Sequence, residues 1–187
     1  MNKIITLVGM PGAGKSFCVD YLTSLGYPKV YFGGVVVDET IKRYGATTPE
    51  HERIVREEFR AKDGMGAIAK RIIPQINDLL EDNDIVVADG LYSWAEYKMF
   101  KTAWADDAVI IAIAAPRALR HARLANRPVR PLSEAEVSAR EYAEIENIEK
   151  GGPIANADYT IVNDRTTKVL LADLQAVLKA ANVTLPV

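Results

Sequence analysis

The run Gly9-Met10-Pro11-Gly12-Ala13-Gly14-Lys15-Ser16 constrains this chain more than any other stretch, because it meets the pattern G-x-x-x-x-G-K-[ST] at every specified position. Three glycines and a proline let the backbone curl until successive N–H groups point inward, a conformation that side chains with a Cβ obstruct. Such a loop holds the tail of a nucleoside triphosphate. Lys15 then sets a compact positive charge against the outer phosphates, Ser16 offers a hydroxyl to a bridging Mg²⁺, and the helix opening here turns its positive end toward the same anions.

The flanks of the motif agree with that reading. Lys3-Ile4-Ile5-Thr6-Leu7-Val8 is a β-branched run suited to a buried parallel strand, and Lys15 to Leu25 places Val19, Leu22 and Leu25 at helical spacing before Gly26 stops it. An ordinary glycine turn between strand and helix is the bland alternative.

Further along, Pro28-Lys29-Val30-Tyr31-Phe32 reads as a strand, Gly33-Gly34 as a bend, and Val35 to Tyr44 as a helix ended by Gly45. Thr48-Pro49-Glu50 starts a helix to about Ala61, and Met65 to about Leu80 forms another that Pro74 is expected to kink or divide. Asp84-Ile85-Val86-Val87-Ala88-Asp89-Gly90 is a buried strand ending in an acid. Ser93 with Glu96, and Ser133 with Glu136, have capping-box spacing for helices to about Ala103 and about Lys150. Ala108 to Ala114 is an apolar strand, and Pro116 opens a helix that Pro128 ends. Asp158 to Asn163 is the fifth strand, and Thr167 to Ala180 closes the chain with Val169, Leu170, Leu174, Val177 and Leu178 as its inner stripe.

Five apolar strands separated by helices imply an α/β architecture: a parallel sheet covered on both faces, with right-handed crossovers. Ligands in such sheets sit beyond the carboxyl ends of the strands, which puts the phosphate loop, Gly33-Gly34, Asp89-Gly90, Ala115 and Asn163 along one rim. With 187 residues, 49% of them hydrophobic and 26% charged, one domain with a sizeable core is expected. A net charge of -2 offers no global affinity for nucleic acid or anionic membrane, and no apolar run approaches the ~20 residues that span a bilayer. The single cysteine, Cys18, forbids an internal disulfide, and no signal-peptide pattern precedes the first strand, so the cytoplasm is the expected setting.

Three constellations carry chemistry. Asp89, on the same rim as Ser16, is placed to hold Mg²⁺ directly or through its water shell, or else to cap the turn before Ser93. Arg117, Arg120, Arg123, Arg127 and Arg130 fall within fourteen residues, the first four near one helix face. Arginine forks stabilise the charge that phosphoryl transfer develops, although a solvated basic face has the same spacing. Arg53, Arg56 and Arg60 recur at helical spacing in the long segment between the second and third strands. Glu52, Glu57 and Glu58 stand among them, so surface ion pairs explain them as well as acceptor binding does. His51 and His121 have no triad partners, no Cys/His cluster suits zinc, and no N-K-x-D guanine-reading sequence occurs.

The phosphate loop, Asp89-Gly90 and Arg123-Leu124-Ala125-Asn126-Arg127 resemble the nucleoside monophosphate kinases, in which R-L-x-x-R leads into a mobile lid. More specifically, Arg56 to Met65, Ala69-Lys70-Arg71-Ile72-Ile73-Pro74 and Ala157 to Asn163 are similar to a family of adenylate-kinase-related proteins described as dephospho-CoA-kinase-like. The resemblance covers nearly the whole chain. It implies a P-loop NTPase three-layer sandwich over residues 1–187, with an acceptor-binding helical insertion at about 35–82 and a helical lid at about 127–140. ATP and Mg²⁺ are the implied cofactors and a small nucleotide-like molecule the implied substrate.

The resemblance further implies that Gly9, Gly12, Ala13, Gly14, Lys15, Ser16, Phe17 and Arg123 bind ATP, with Asn163 near the adenine. Lys15, Asp89, Arg123, Arg127 and Arg130 are the expected catalytic set, and Ser16 and Asp89 the metal ligands. Gly34, Asp38, Arg56, Arg60, Gly90 and Arg140 are the expected acceptor contacts. Two positions depart from the pattern: Gly34 stands where relatives carry an acid, and Tyr92 where monophosphate kinases carry an arginine. A hydroxyl acceptor is helped by a carboxylate that takes its proton, so Asp38 or Asp89 would have to replace the acid missing at Gly34. The alternative is a degenerate kinase that binds and slowly hydrolyses ATP as a switch for a protein partner.

Overall fold

The computed structural model describes residues 2–183. Strand β1 (Lys3–Val8) runs through the glycine loop into helix α1 (Lys15–Ser24), and β2 (Lys29–Tyr31) passes directly into α2 (Phe32–Tyr44). Helices α3 (Pro49–Asp63) and α4 (Ala67–Asp82) precede β3 (Ile85–Asp89). Then come α5 (Trp94–Trp104), a 3-10 turn at Ala105–Asp107, β4 (Ala108–Ala114) and α6 (Arg117–Ala125). Helices α7 (Glu134–Ile148) and α8 (Gly151–Ala155), strand β5 (Tyr159–Val162) and α9 (Thr167–Ala180) follow among the described residues. No helix among the described residues is long and apolar enough to cross a membrane.

All five strands are parallel, in the order β2-β3-β1-β4-β5. Side chains alternate across a strand, and the alternation divides the core into two layers. Ile4, Val8, Val86, Ala88, Ile110 and Ala112 face one way, with Phe32, Val36, Val55, Phe59, Ile68, Ile72, Ile76 and Phe100 from α2 to α5 packed over them. Ile5, Leu7, Val87, Val109, Ile111 and Ile113 face the other way, under Val19 and Leu22 of α1 and Leu170, Leu174 and Leu178 of α9. Each such large side chain contributes about 1.5–3 kcal/mol by leaving water. The result is the three-layer α/β sandwich of P-loop proteins. Because β1 is central, Leu7 pairs in register with Asp89, and Asp89 with Tyr31, so the phosphate loop and the acid-bearing strand tip emerge side by side.

Two local expectations are corrected. Gly33 and Gly34 do not form a bend, because α2 begins at Phe32 and contains both. Gly33 instead makes room for the Tyr31 ring, since a Cβ there would stand 2.4 Å from its Cζ. Nor does Pro74 divide α4, which continues to Asp82. Its buried face, Ile68, Ala69, Ile72 and Ile76, contributes more than the one backbone hydrogen bond that proline removes. Helix α8 went unforeseen because Gly151-Gly152-Pro153 reads as a break. Gly152 lets it settle on Trp94, whose Cε3 would lie 2.8 Å from an added Cβ.

Both capping boxes are present. Ser93 accepts from Glu96 N at 3.2 Å while Glu96 accepts from Ser93 N and Tyr92 N at 2.8 Å, and Ser133 with Glu136 repeats the pattern at α7. Thr48 accepts from His51 N at the start of α3.

Candidate active site

The phosphate loop is seated from behind. Gly9, Gly12 and Gly14 have φ of 145°, 77° and 107°. A Cβ on each would come within 2.3 Å of Ile113 O, 2.6 Å of Arg120 O and 2.3 Å of Asn163 Nδ2 respectively. Both the left-handed backbone and the close packing therefore demand glycine at these positions.

Five successive loop carbonyls are each taken by a cation or amide. Lys15 Nζ donates to Gly9 O at 2.5 Å and to Met10 O at 3.3 Å, and Arg120 donates to Pro11 O at 3.3 Å. Arg123 donates to Gly12 O at 3.4 Å, and Asn163 Nδ2 to Ala13 O at 2.8 Å. Anchoring the carbonyls fixes the peptide planes and, apart from Ala13 N, which donates to Met10 O at 3.2 Å, leaves the loop's N–H edges for an anion. Gly14 opens α1 with no side-chain cap. The first N–H groups of α1 have no partner within the helix and suit a phosphate.

In front of the loop lies a cavity of about 280 Å³ whose wall carries Lys15, Arg123, Arg127, Arg140 and Lys150 against a single carboxylate, Asp89. In a chain of net charge -2 this is a strong local surplus of positive charge, complementary to a polyphosphate. The crowding shows in the titration of its members. Burial, reinforced by the Lys150 charge, lowers the Lys15 ammonium to about 7. Burial also lowers Lys150. It raises Asp89 as well, against the pull of Lys29 and Lys15.

Ser16 lines the same cavity as Asp89, so a hydroxyl and a carboxylate face one space, the donor set that suits a hard cation already carrying phosphate and water ligands. Among the described residues no three His, Cys, Asp or Glu side chains gather to hold a metal by themselves.

A second pocket, of about 450 Å³, opens between α2, α3 and α7. Arg56 and Arg60 line it, with Glu52, Glu96 and Glu144 and the rings of Tyr31, Phe32 and Tyr92. Here the structure separates three arginines that spacing could not. Arg53 is paired outward with Glu57 at 3.1 Å, whereas Arg56 and Arg60 have no ion pair among the described residues, and the buried Arg60 Nε has no hydrogen-bond partner. Tyr92 and Arg140 line both cavities and so form their common wall. Gly90, with φ of 117°, lets Tyr92 fold back to that wall, since a Cβ there would lie 2.8 Å from the tyrosine ring.

Several residues stand elsewhere than expected. Gly34 and Asp38 line a separate groove that shares only Tyr31 with the second pocket. Arg130 is exposed, with φ of 52°, and does not line the phosphate cavity, while Phe17 leaves its side chain exposed. Asn163 is occupied by the loop: its amide binds Ala13 O, and its oxygens accept from Arg123 at 3.1 and 3.3 Å. Arg120 is buried and paired with Glu141 of α7, which also takes Arg117 and His121 at 3.3 Å, so a basic solvated face does not describe it. Sequence reasoning missed Lys150, 3% exposed, and its partner Glu144. A lysine before two glycines reads as a helix end, and no motif spacing marks it.

The profile of the AAA domain family matches residues 5–149. The UPF0200/UPF0201 protein of Archaeoglobus fulgidus is 36% identical over 180 residues, covering 94% of this chain, which spans only 55% of that protein's length. The UPF0200 protein of Thermococcus onnurineus is 37% identical over 164 residues, 86% of this chain and 88% of the relative. Among solved structures, TT1252 from Thermus thermophilus superposes with a TM-score of 0.63 at 20% identity, covering 96% of this chain and 97% of the other. Shikimate kinase from Acinetobacter baumannii, solved with shikimate, gives 0.56 at 21% identity, covering 96% and 95%. At these identities the two structures share the fold. By the profile this chain belongs to the AAA domain family, and by the curated relatives it belongs with the UPF0200 proteins.

Proposed function

We propose that this chain is a cytoplasmic, Mg²⁺-dependent kinase that passes the γ-phosphoryl group of ATP to a small, anion-bearing, nucleotide-like acceptor, a nucleoside monophosphate or dephospho-CoA. The observation that carries this reading is the common wall: a cationic cavity at the phosphate loop and a pocket holding Arg56 and Arg60, which have no ion pair among the described residues, meet at Tyr92 and Arg140. A reaction between two bound molecules needs such a meeting.

In this reading the loop N–H groups, Lys15 and Arg127 hold the donor phosphates, and Arg123 with Asn163 keeps the loop in shape. Ser16 and Asp89 take the magnesium, which neutralises phosphate charge when bound. Arg56 and Arg60 grip the acceptor's anion from the helical segment at about 35–82. The stretch at about 127–140, irregular until α7 begins, is the lid: it brings Arg130 over the donor, while Arg140 of α7 already stands at the common wall. The acceptor oxygen forms the new P–O bond as the bond to the bridging oxygen breaks, and that electron pair leaves with ADP. A hydroxyl acceptor also gives up its proton; Asp38 lies in the separate groove, and the carboxylates lining the two meeting cavities are Asp89 on the donor side and Glu52, Glu96 and Glu144 on the acceptor side.

The test is ADP release with a panel of nucleoside monophosphates, dephospho-CoA and small alcohols bearing a phosphate or carboxylate. Acceleration by one member supports the kinase. Slow hydrolysis that none of them accelerates favours the second reading, an ATP-driven switch for a protein partner.

A further inference from the structure

Lys150 is a buried ammonium with no role in the reading above. It follows Glu149, whose φ of 54° turns the chain at the end of α7, and it is 3% exposed. Its Nζ bonds Glu144 at 2.5 Å and sits 5.0 Å from the centre of the Tyr92 ring. Glu144 is shared, because Arg140 Nε also binds it, at 3.0 Å. Two cations therefore divide one carboxylate, and Lys15, itself crowded by the Lys150 charge, adds a third.

Burying a charge is costly unless it is fully compensated, and here three cations, Lys15, Arg140 and Lys150, stand against two carboxylates, Glu144 and Asp89. An arriving anion would remove the shortfall. Location says which anion. Lys150 lines the phosphate cavity, while its partner Glu144 lines the acceptor pocket, so the ammonium stands at the seam on the acceptor side.

We infer that Lys150 binds the terminal phosphate of the nucleotide from the acceptor side, exchanging the Glu144 carboxylate for a γ-phosphate oxygen when the donor enters. This rests on the cavity being a nucleotide site, but it makes a separate claim. A lysine that only pins α7 to Tyr92 would serve diphosphate and triphosphate alike, whereas one that meets the γ-phosphate tells them apart. A charge-assisted hydrogen bond of this kind corresponds to about 10- to 100-fold in affinity.

The experiment measures dissociation constants of a non-hydrolysable ATP analogue and of ADP, both with magnesium, for the wild-type chain and Lys150→Met. The analogue should weaken by about 10- to 100-fold while ADP moves by less than about threefold. Equal weakening of both, or no change in either, overturns the inference. Should Lys150→Met fail to fold, Glu144→Gln decides: removing the competing carboxylate should tighten the analogue selectively, and equal effects on both nucleotides overturn the claim. Wild-type protein that binds neither nucleotide would remove the kinase reading with it, whereas tight wild-type binding with an indifferent Lys150→Met removes this inference alone.

Discussion

Lys15 offers the sharpest test, because its environment changes sign when a nucleotide arrives. Burial and then the Lys150 charge hold its ammonium at about 7 against an ordinary lysine value of 10.5. A bound polyphosphate reverses that environment and restores the proton. Nucleotide affinity should therefore fall as pH rises through 7. With a pKa near 7 when empty and near its ordinary value when bound, affinity at pH 9 should be about fifty-fold weaker than at pH 7. At pH 7, calorimetry in two buffers of different ionisation enthalpy should register uptake of about half a proton per nucleotide.

Stability of the empty protein has the opposite slope. Between about pH 7 and 9 the unfolded chain holds a proton that folded Lys15 has released, so stability rises with pH there, and the full penalty of burying the charge applies below about 7. Lys15→Met removes the titrating group and should flatten both profiles. Nucleotide binding with no proton uptake and constant affinity from pH 6 to 9 would refute the crowded-cation account of the cavity.

Other outcomes follow from the same geometry. Arg56→Met or Arg60→Met should raise the acceptor KM about tenfold through loss of a charge-assisted contact, with nucleotide affinity unmoved in equilibrium binding. Glu141→Ala leaves buried Arg120 without its carboxylate, and urea unfolding should show a loss of about 3–5 kcal/mol. Asn163→Ala strips the Ala13 carbonyl of its donor and Arg123 of an acceptor, lowering stability by about 1–3 kcal/mol and weakening nucleotide binding together.

Where the chain alone revealed the fold, the reason was redundancy between levels. β1, β4 and α9 fall on the residues expected for them, because apolar runs with glycine, proline or threonine at their ends leave one reading. Failures came where a glycine serves a distant partner. Gly33 reads locally as a bend, yet it accommodates Tyr31 inside a helix, and Gly152 accommodates Trp94 in a helix that looks like a break. Strand order was not legible either, because β1 lies between β3 and β4 only when non-local pairing is settled.

The arginines show how far spacing can go in a candidate site. Helical periodicity grouped Arg117, Arg120, Arg123 and Arg127, but a row on a helix passes several environments as neighbouring elements close on it. Arg117 meets Ser138 and Glu141, Arg120 is buried between Glu141 and the Pro11 carbonyl, Arg123 bridges Gly12 and Asn163, and Arg127 alone of the four lines the phosphate cavity without a bond to the loop or α7 among the described residues. Three of the five clustered arginines thus act on the protein: they connect α6 to α7, the loop and Asn163. The charge that would meet the γ-phosphate from the acceptor side comes instead from Lys150, a residue no periodicity selects. A cavity assembled in this way responds to its ligand as a unit, because the carbonyl anchors Arg120 and Arg123 hold in place the loop whose N–H groups must face the phosphates. Mutating either anchor should therefore weaken ATP analogue and ADP equally, the opposite signature to Lys150→Met, and that contrast separates residues that shape the loop from residues that read the terminal phosphate.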